Sequence, residues 1–294
     1  MDKVAIMMRI GLEAEALNNE GAIGNSMLSR QVKVLNGQLV DAISGEMLKH
    51  FHSRNLRLLA DDNELCDTCK LFSPMKNGEI HEVDENLSAS GNRVKNCIID
   101  DVEGFMNAGK NKNEKSHSCI KFSWGLGVED SNVETVFHSR VDPTDKNNKK
   151  KDTKDTTSNA NTNSDQNTQM PFYRPLRSNE YAITVTIDMD RISFDDEKLV
   201  YTLPEDKVKT RQVKCLQALR NMFIDMEGAM CSTRLPHIRS IEGILVRKND
   251  KNDVLVKYSA RNDDYLQVNQ NIATNSVVFN NIEEFVDVID NILK

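Results

Sequence analysis

Val4-Ala5-Ile6-Met7-Met8-Arg9-Ile10-Gly11-Leu12 alternates Val4, Ile6, Met8, Ile10 and Leu12 with Ala5, Met7, Arg9 and Gly11. A period of two over nine residues predicts a β-strand covered on one face. Tyr181–Met189 repeats the pattern through Ile183, Val185, Ile187 and Met189, and Ser118–Trp124 and Val133–Val141 read as shorter strands. Helical spacing separates them. Ser44 is a natural N-cap before Glu46–Leu59, whose apolar stripe is Met47, Leu48, Phe51, Leu58 and Leu59. Leu216, Leu219, Phe223 and Met226 recur three and four apart between Pro204 and Gly228, a second helix. Ile241–Val246 and Val254–Tyr258 flank the turn-rich Lys248–Asp253 and predict a hairpin, and Asn281 with Glu284 forms a capping box for a last helix to Leu293. The order strand, helix, strands, helix, strands, helix predicts one α+β domain over 1–294 with an RRM-like (ferredoxin-like) palm.

Two stretches fall outside that palm. Residues 60–115 mix turn residues, charges and Cys66-Asp67-Thr68-Cys69, and read as an inserted subdomain of modest order. Residues 142–180 read as a long thumb hairpin or loop. Within them, Thr144–Gln169 has Ala160 as its only aliphatic residue, too little apolar area to offset the entropy of ordering it, so partial disorder is expected.

A chain of 294 residues, 38% of them hydrophobic, can bury one substantial core. Neither a signal-peptide pattern nor a run long enough to span a bilayer follows Met1-Asp2-Lys3, so a cytoplasmic location and no membrane partner are expected. Six cysteines in such a chain read as reduced thiols. Cys66 and Cys69 have the spacing of half a zinc knuckle, but no second such cysteine pair follows. His81, Cys97 or His50 would have to complete a site, and no metal or cofactor is assigned. Trp124, Gly125 and Gly127 lack the lysine and hydroxyl of a phosphate loop, so nucleotide hydrolysis has no support. The net charge of −7 argues against a uniformly basic, nucleic-acid-coating protein. The acids cluster, however, in 61–64, 79–85, 100–103 and 283–290, which leaves room for a local positive groove. His50, Arg54 and Arg57 recur at spacings of four and three beside Lys49, a helix face able to neutralise phosphates, with Ser44-Gly45 at its N-terminal dipole. A merely solvated basic face fits the same residues.

The run Ser44-Gly45-Glu46-Met47-Leu48-Lys49-His50, preceded by Asn18-Asn19 and Ser29-Arg30-Gln31-Val32-Lys33, resembles the amino-terminal region of DevR-type CRISPR-associated proteins of the RAMP superfamily. His138-Ser139-Arg140-Val141-Asp142, Gln169 through Ser178, Tyr181, and Asp188-Met189-Asp190-Arg191-Ile192 resemble that family's middle section, and Arg239-Ser240-Ile241-Glu242-Gly243 its carboxy-terminal part. The resemblance implies a non-catalytic, CRISPR RNA-binding backbone subunit of a type I Cascade interference complex, serving antiviral DNA targeting. Its partners would be a guide CRISPR RNA gripped by its backbone, further copies of itself in a helical array, other Cascade subunits, and target DNA reached through the guide. It also implies RNA contacts at Asn18, Arg30, Lys33, Ser44, Lys49, His50, Arg54, His138, Arg140, Arg174 and Arg177, with Met170 and Phe172 as wedges between bases. Arg174 and Arg177, beside prolines, are the strongest of these.

The alternative is a metal-dependent RAMP endoribonuclease subunit. Relatives that cut RNA use an aspartate on the loop before the first helix, where this chain reads Ser29-Arg30-Gln31-Val32. Asp41 lies nearer the helix, but without a partner carboxylate it is more simply a helix-flanking charge. Regulation of expression has no support either, since no helix-turn-helix with a basic recognition helix is present.

Overall fold

The computed structural model describes residues 2–71, 74–109, 112–138, 172–228 and 230–292. Along the chain, β1 (Lys3–Glu15) is followed by the short strands β2 (Asn19–Ile23), β3 (Ser26–Ser29), β4 (Gln31–Lys33) and β5 (Leu39–Ile43), then by α1 (Gly45–Leu59). The next segment holds α2 (Ala89–Asn96), α3 (Ile98–Glu103) and the hairpin of β6 (Phe105–Gly109) with β7 (Lys112–Ser116). Then come β8 (Ile120–Phe122), β9 (Gly125–Gly127), β10 (Val133–His138) and the long β11 (Phe172–Asp188). A small pair, β12 (Phe194–Asp195) and β13 (Val200–Tyr201), leads into α4 (Glu205–Ile224), β14 (His237–Lys248), α5 (Tyr265–Ile272), β15 (Asn275–Phe279) and α6 (Ile282–Asp290). No helix among the described residues is long and apolar enough to cross a membrane.

The strand that begins the sequence reading is the centre of a large antiparallel sheet. β1 pairs with β11 on one side and β14 on the other, so that Ile6 lies opposite both Val185 and Leu245. β8 and β9 succeed one another along the far edge of β11, β9 continues to β5 and β4, and β15 extends β14. The spatial order β14-β1-β11-β8 places the strands after and before α4 on either side of β1, with β8 outermost.

Both faces of β1 are covered, not one. Val4, Ile6, Met8, Ile10 and Leu12 pack with Leu48, Phe51 and Leu56 of α1, Leu216, Leu219 and Phe223 of α4, and Phe285 and Ile289 of α6. On the reverse, Ala5, Met7, Ala182, Ile244 and Val246 are buried with Ala260 and Tyr265, and Leu255 and Val256 pack against them. The expected hairpin of 241–246 with 254–258 is therefore corrected: β14 pairs with β15, and 254–260 crosses the back of the sheet. The side chain of Asn269 on α5 satisfies the polar backbone there, accepting from Tyr258 N (3.0 Å) and donating to Tyr258 O (2.9 Å).

α1 starts where its cap predicts, with Ser44 Oγ accepting from Met47 N at 3.2 Å. Its inward stripe differs, because Leu58 is 62% exposed while His52 and Leu56 are buried. The capping box at Asn281 and Glu284 opens α6 as expected, Asn281 Oδ1 accepting from Glu284 N at 2.9 Å. The inserted segment 60–115 is continuous with the main core, to which it contributes Cys66, Cys69, Cys97, Ile98, Ile99 and Val102. Buried Arg211 of α4 locks it there, donating from Nη1 to Val94 O (2.6 Å) and Asp101 Oδ2 (2.8 Å). Residues 133–138, from the strand expected over Val133–Val141, and 172–177, from the expected thumb, are the paired arms of a hairpin, Val133 opposite Arg177 and His138 opposite Phe172. Residues 172–180 thus belong to β11, and Thr144–Gln169 lies outside the described residues.

Candidate nucleic-acid interface

The basic face of α1 divides between two surroundings. His50 and Arg54, one turn apart, line a cleft of about 400 Å³ with Leu17, Asn18, Asn19, Met47, Phe51 and Gly228. Lys49 instead approaches Glu103 Oε2 (3.9 Å), and Arg57 donates to Lys70 O from both Nε (3.1 Å) and Nη2 (2.7 Å), so these two face the inserted segment. The helix start is spent internally. Ser44 is 4% exposed, its N–H donates to Asn18 Oδ1 at 2.7 Å, and the exposed residue of the first turn is the acidic Glu46.

Residues 227, 228 and 230–234, after α4, tie this cleft to the hairpin stem. Glu227 pairs with Arg54 at 2.5 Å, Met230 Sδ accepts from Arg174 Nη1 at 3.1 Å, and Arg234 Nη2 donates to His138 Nε2 at 2.6 Å. In that last bond Nε2 of His138 is the acceptor, because a guanidinium can only donate. Phe172 packs against both partners: its ring stacks on His138 with centroids 5.3 Å apart, and the Arg174 guanidinium sits 4.9 Å from its centre. On the opposite face of the hairpin, Phe137 and Tyr173 pair at 5.5 Å while 55% and 42% exposed. Burial and the neighbouring Arg174 charge both press the Arg234 pKa below its ordinary value. With the Arg174 charge acting on Arg234 and no ion-paired carboxylate at either among the described residues, the site favours an anion.

Other expected contacts lie elsewhere. Arg177 is 2% exposed and belongs to the fold: Nε meets Glu15 Oε1 at 2.5 Å, and Nη1 donates to Arg30 O (2.8 Å) and Ala42 O (3.2 Å). Arg30 lies over the Trp124 ring (5.4 Å) near Glu20 (3.3 Å), and Lys33 is exposed on β4. Arg140 and Met170 fall outside the described residues. Asp41, expected as a helix-flanking charge, is fully buried on β5: Oδ1 accepts from Ser131 Oγ (2.6 Å), and Oδ2 from Asn179 Nδ2 (3.1 Å) and Asn132 N (3.2 Å).

Sequence reasoning missed Arg234, Met230, Phe137 and Tyr173. The aromatic pair had a signal, since both flank residues singled out for binding, whereas nothing local marks a loop arginine after Gly228. Among metal-ligating side chains, Cys97 joins Cys66 and Cys69, while His50 lies in the α1 cleft and His81 bonds Leu65 O at 2.9 Å.

No curated protein matches the chain. Among solved structures, a chain of a "CRISPR RNA-guided surveillance complex" is similar in fold, with a TM-score of 0.53 at 12% identity over 94% of this chain and 87% of that one. A chain of a "CRISPR RNA-guided surveillance complex, pre-nicking" aligns with a TM-score of 0.49 at 11% identity, over 92% and 86%. The sequence profile of one family, described as "CRISPR-associated negative auto-regulator DevR/Csa2", matches residues 6–270, and over that span the chain belongs to the DevR/Csa2 family of CRISPR-associated proteins.

Proposed function

We propose that this DevR/Csa2 protein is a non-catalytic backbone subunit of a type I Cascade complex, which grips the sugar-phosphate chain of a guide CRISPR RNA and leaves its bases to read target DNA. The observation that carries the reading is the stretch of residues 227, 228 and 230–234, which gathers Arg174, Arg234 and His138 on one face of the hairpin, opposite the exposed Phe137–Tyr173 pair, and reaches Arg54 at the α1 cleft. Cationic groups on one face of a hairpin that carries exposed rings on the other suit a single strand of any sequence, since every nucleotide offers a phosphate and a π-face. The palm is RRM-like in this proposal, supported by the order β14-β1-β11-β8 with α1 and α4 packed on one face. Copies would stack head to tail along the guide in the cytoplasm, each hairpin resting on the RNA of its neighbour, alongside other Cascade subunits.

Against the endoribonuclease alternative stands Asp41, whose two oxygens are committed to Ser131, Asn132 and Asn179 inside the protein. The experiment is purification from the native host followed by sequencing of bound RNA. RNAs sharing a repeat-derived end are expected; a random population of cellular fragments, or RNA-free protein, would remove the assignment.

A further inference from the structure

Cys66 and Cys69 follow the single turn at Asp62–Glu64, Cys97 is the junction between α2 and α3, and Asp100 lies one turn into α3. The sequence thus holds two pairs of the same spacing, Cys66-x2-Cys69 and Cys97-x2-Asp100, and the fold brings them together. One ligand atom from each lies within 4.8 Å of all the others, and all four residues are fully buried. Three thiolates and one carboxylate around a common centre match a tetrahedral zinc ion, whose ligands stand about 2.0–2.3 Å from the metal.

Asp100 supplies an independent sign. Both its oxygens are buried, and neither accepts a hydrogen bond of ordinary geometry; Arg93 Nη1 is 3.8 Å from Oδ2, and the Asn77 amide approaches. A carboxylate facing three sulfurs in a dry interior needs a cation there. Zinc with four such ligands carries two net negative charges, and two cations flank the cluster: Arg93, which also pairs with Glu114 at 2.7 Å, and Lys76, whose Nζ donates to Glu103 O and Gly104 O. The surrounding backbone is shaped to the loop. Lys70 N–H bonds Cys66 O (3.1 Å), Thr68 Oγ1 donates to Lys76 O (2.9 Å), and a Cβ at Gly78 would come within 2.6 Å of Thr68 N and 3.0 Å of Cys66 Sγ. The two hydrogen bonds from Arg57 to Lys70 O fasten that loop to α1.

We propose that Cys66, Cys69, Cys97 and Asp100 bind one structural zinc ion that pins the inserted segment 60–115 to the main core. Four buried protein ligands leave no open coordination position, so the ion holds structure and does not activate water. Reduced thiols with no metal are the competing state, and the two differ in measurable ways.

The test is elemental analysis of the full chain, purified without chelator or metal-affinity resin. About one zinc per chain is expected, retained on dialysis and released when a mercurial blocks the thiols. Cobalt(II) in its place should give the visible bands of a tetrahedral thiolate site. Asp100→Cys supplies a fourth thiolate in the same shell: it should keep the metal and strengthen the sulfur-to-cobalt charge-transfer band by roughly a third. Cys97→Ser should lose most of the zinc. If that variant fails to fold, the wild type and Asp100→Cys still decide the matter. Fewer than about one zinc per ten wild-type chains, with no cobalt band on titration, would overturn the site. Undiminished zinc in folded Cys97→Ser would overturn this ligand set.

Discussion

Replacing Arg177 and Arg174 separately by alanine distinguishes a residue that holds the fold from one that meets RNA. Arg177 sits in a buried network: Glu15 accepts from its guanidinium and also from Tyr181 Oη and, at 2.7 Å, Leu17 N, while two backbone carbonyls accept from Nη1. Burial works against the guanidinium's charge, yet Glu15 holds its pKa above the ordinary value. Removing one partner of a buried pair strands the other, at a cost of about 3–5 kcal/mol. An unfolding entropy of roughly 2 cal/mol/K per residue amounts to about 0.6 kcal/mol/K for a chain of this length, so Arg177→Ala should lower Tm by about 5–8 °C. Arg174, half-buried over Phe172, should behave oppositely. Arg174→Ala leaves Tm nearly unchanged but reduces the slope of log K against log salt by about 0.7, the value for one phosphate of a single strand. Thermal unfolding by circular dichroism and RNA titrations at several salt concentrations read the two effects. An Arg177→Ala protein with wild-type Tm and a flattened salt slope would refute the division.

Arg54→Ala and Arg234→Ala should each weaken RNA binding about equally for unrelated sequences, as fluorescence polarisation with several RNAs would read; loss confined to one sequence would exclude backbone recognition. Asp41→Ala should destabilise the protein by about 1–3 kcal/mol through the three donors it leaves unpaired. RNA incubated with magnesium or manganese should stay uncut by either protein, and cutting by wild type that vanishes in a folded variant would transfer the chain to the enzyme class. Burial alone would lower the His52 pKa, but Glu103 overrides it and the value is pushed up to about 10. Because the folded value lies above the unfolded one, this contribution is complete below about pH 6.5 and is lost as pH rises towards 10. Melting curves should show wild type losing stability relative to His52→Gln across that window, and parallel curves would contradict it.

Local signals were the legible ones. The Ser44 cap and the Asn281–Glu284 box depend on residues three apart, and both form as read. Alternation located β1, but Ala5, Met7 and Gly11 are small or flexible enough to sit under a second layer, so it could not reveal a covering that arrives from residues 254–266. The false hairpin has the same origin: the partner of β14 lies beyond α5, and the intervening apolar residues cover a face instead of lengthening an edge. At the interface, helical spacing found His50 and Arg54, whereas Arg234 acquires its role only when the loop after α4 reaches His138. A ligand search restricted to cysteine and histidine passed over Asp100, although its spacing from Cys97 repeats that of Cys66 and Cys69.

The acidic net charge and the proposed RNA groove are reconciled by where the charges lie. Among the described residues, Glu15, Asp41, Asp100, Asp101, Glu103 and Asp195 are buried with the cations Arg93, Arg177, Arg211 and His52, so part of the excess negative charge points at internal partners. Glu15 holds Arg177, Asp101 holds Arg211, and Asp195 accepts from the N–H and hydroxyl of Ser88 at the start of α2. These acids position backbone and arginine, and their fields are largely cancelled within a few ångströms. At the hairpin stem the balance reverses, because the Arg174 charge acts on Arg234 and neither is ion-paired with a carboxylate among the described residues. A polyanion arriving there meets the local pair of charges before it senses the sum over the molecule, since at physiological salt fields beyond about 8 Å are screened. At that ionic strength the charges at the stem, not the sum over the molecule, therefore set what it can hold.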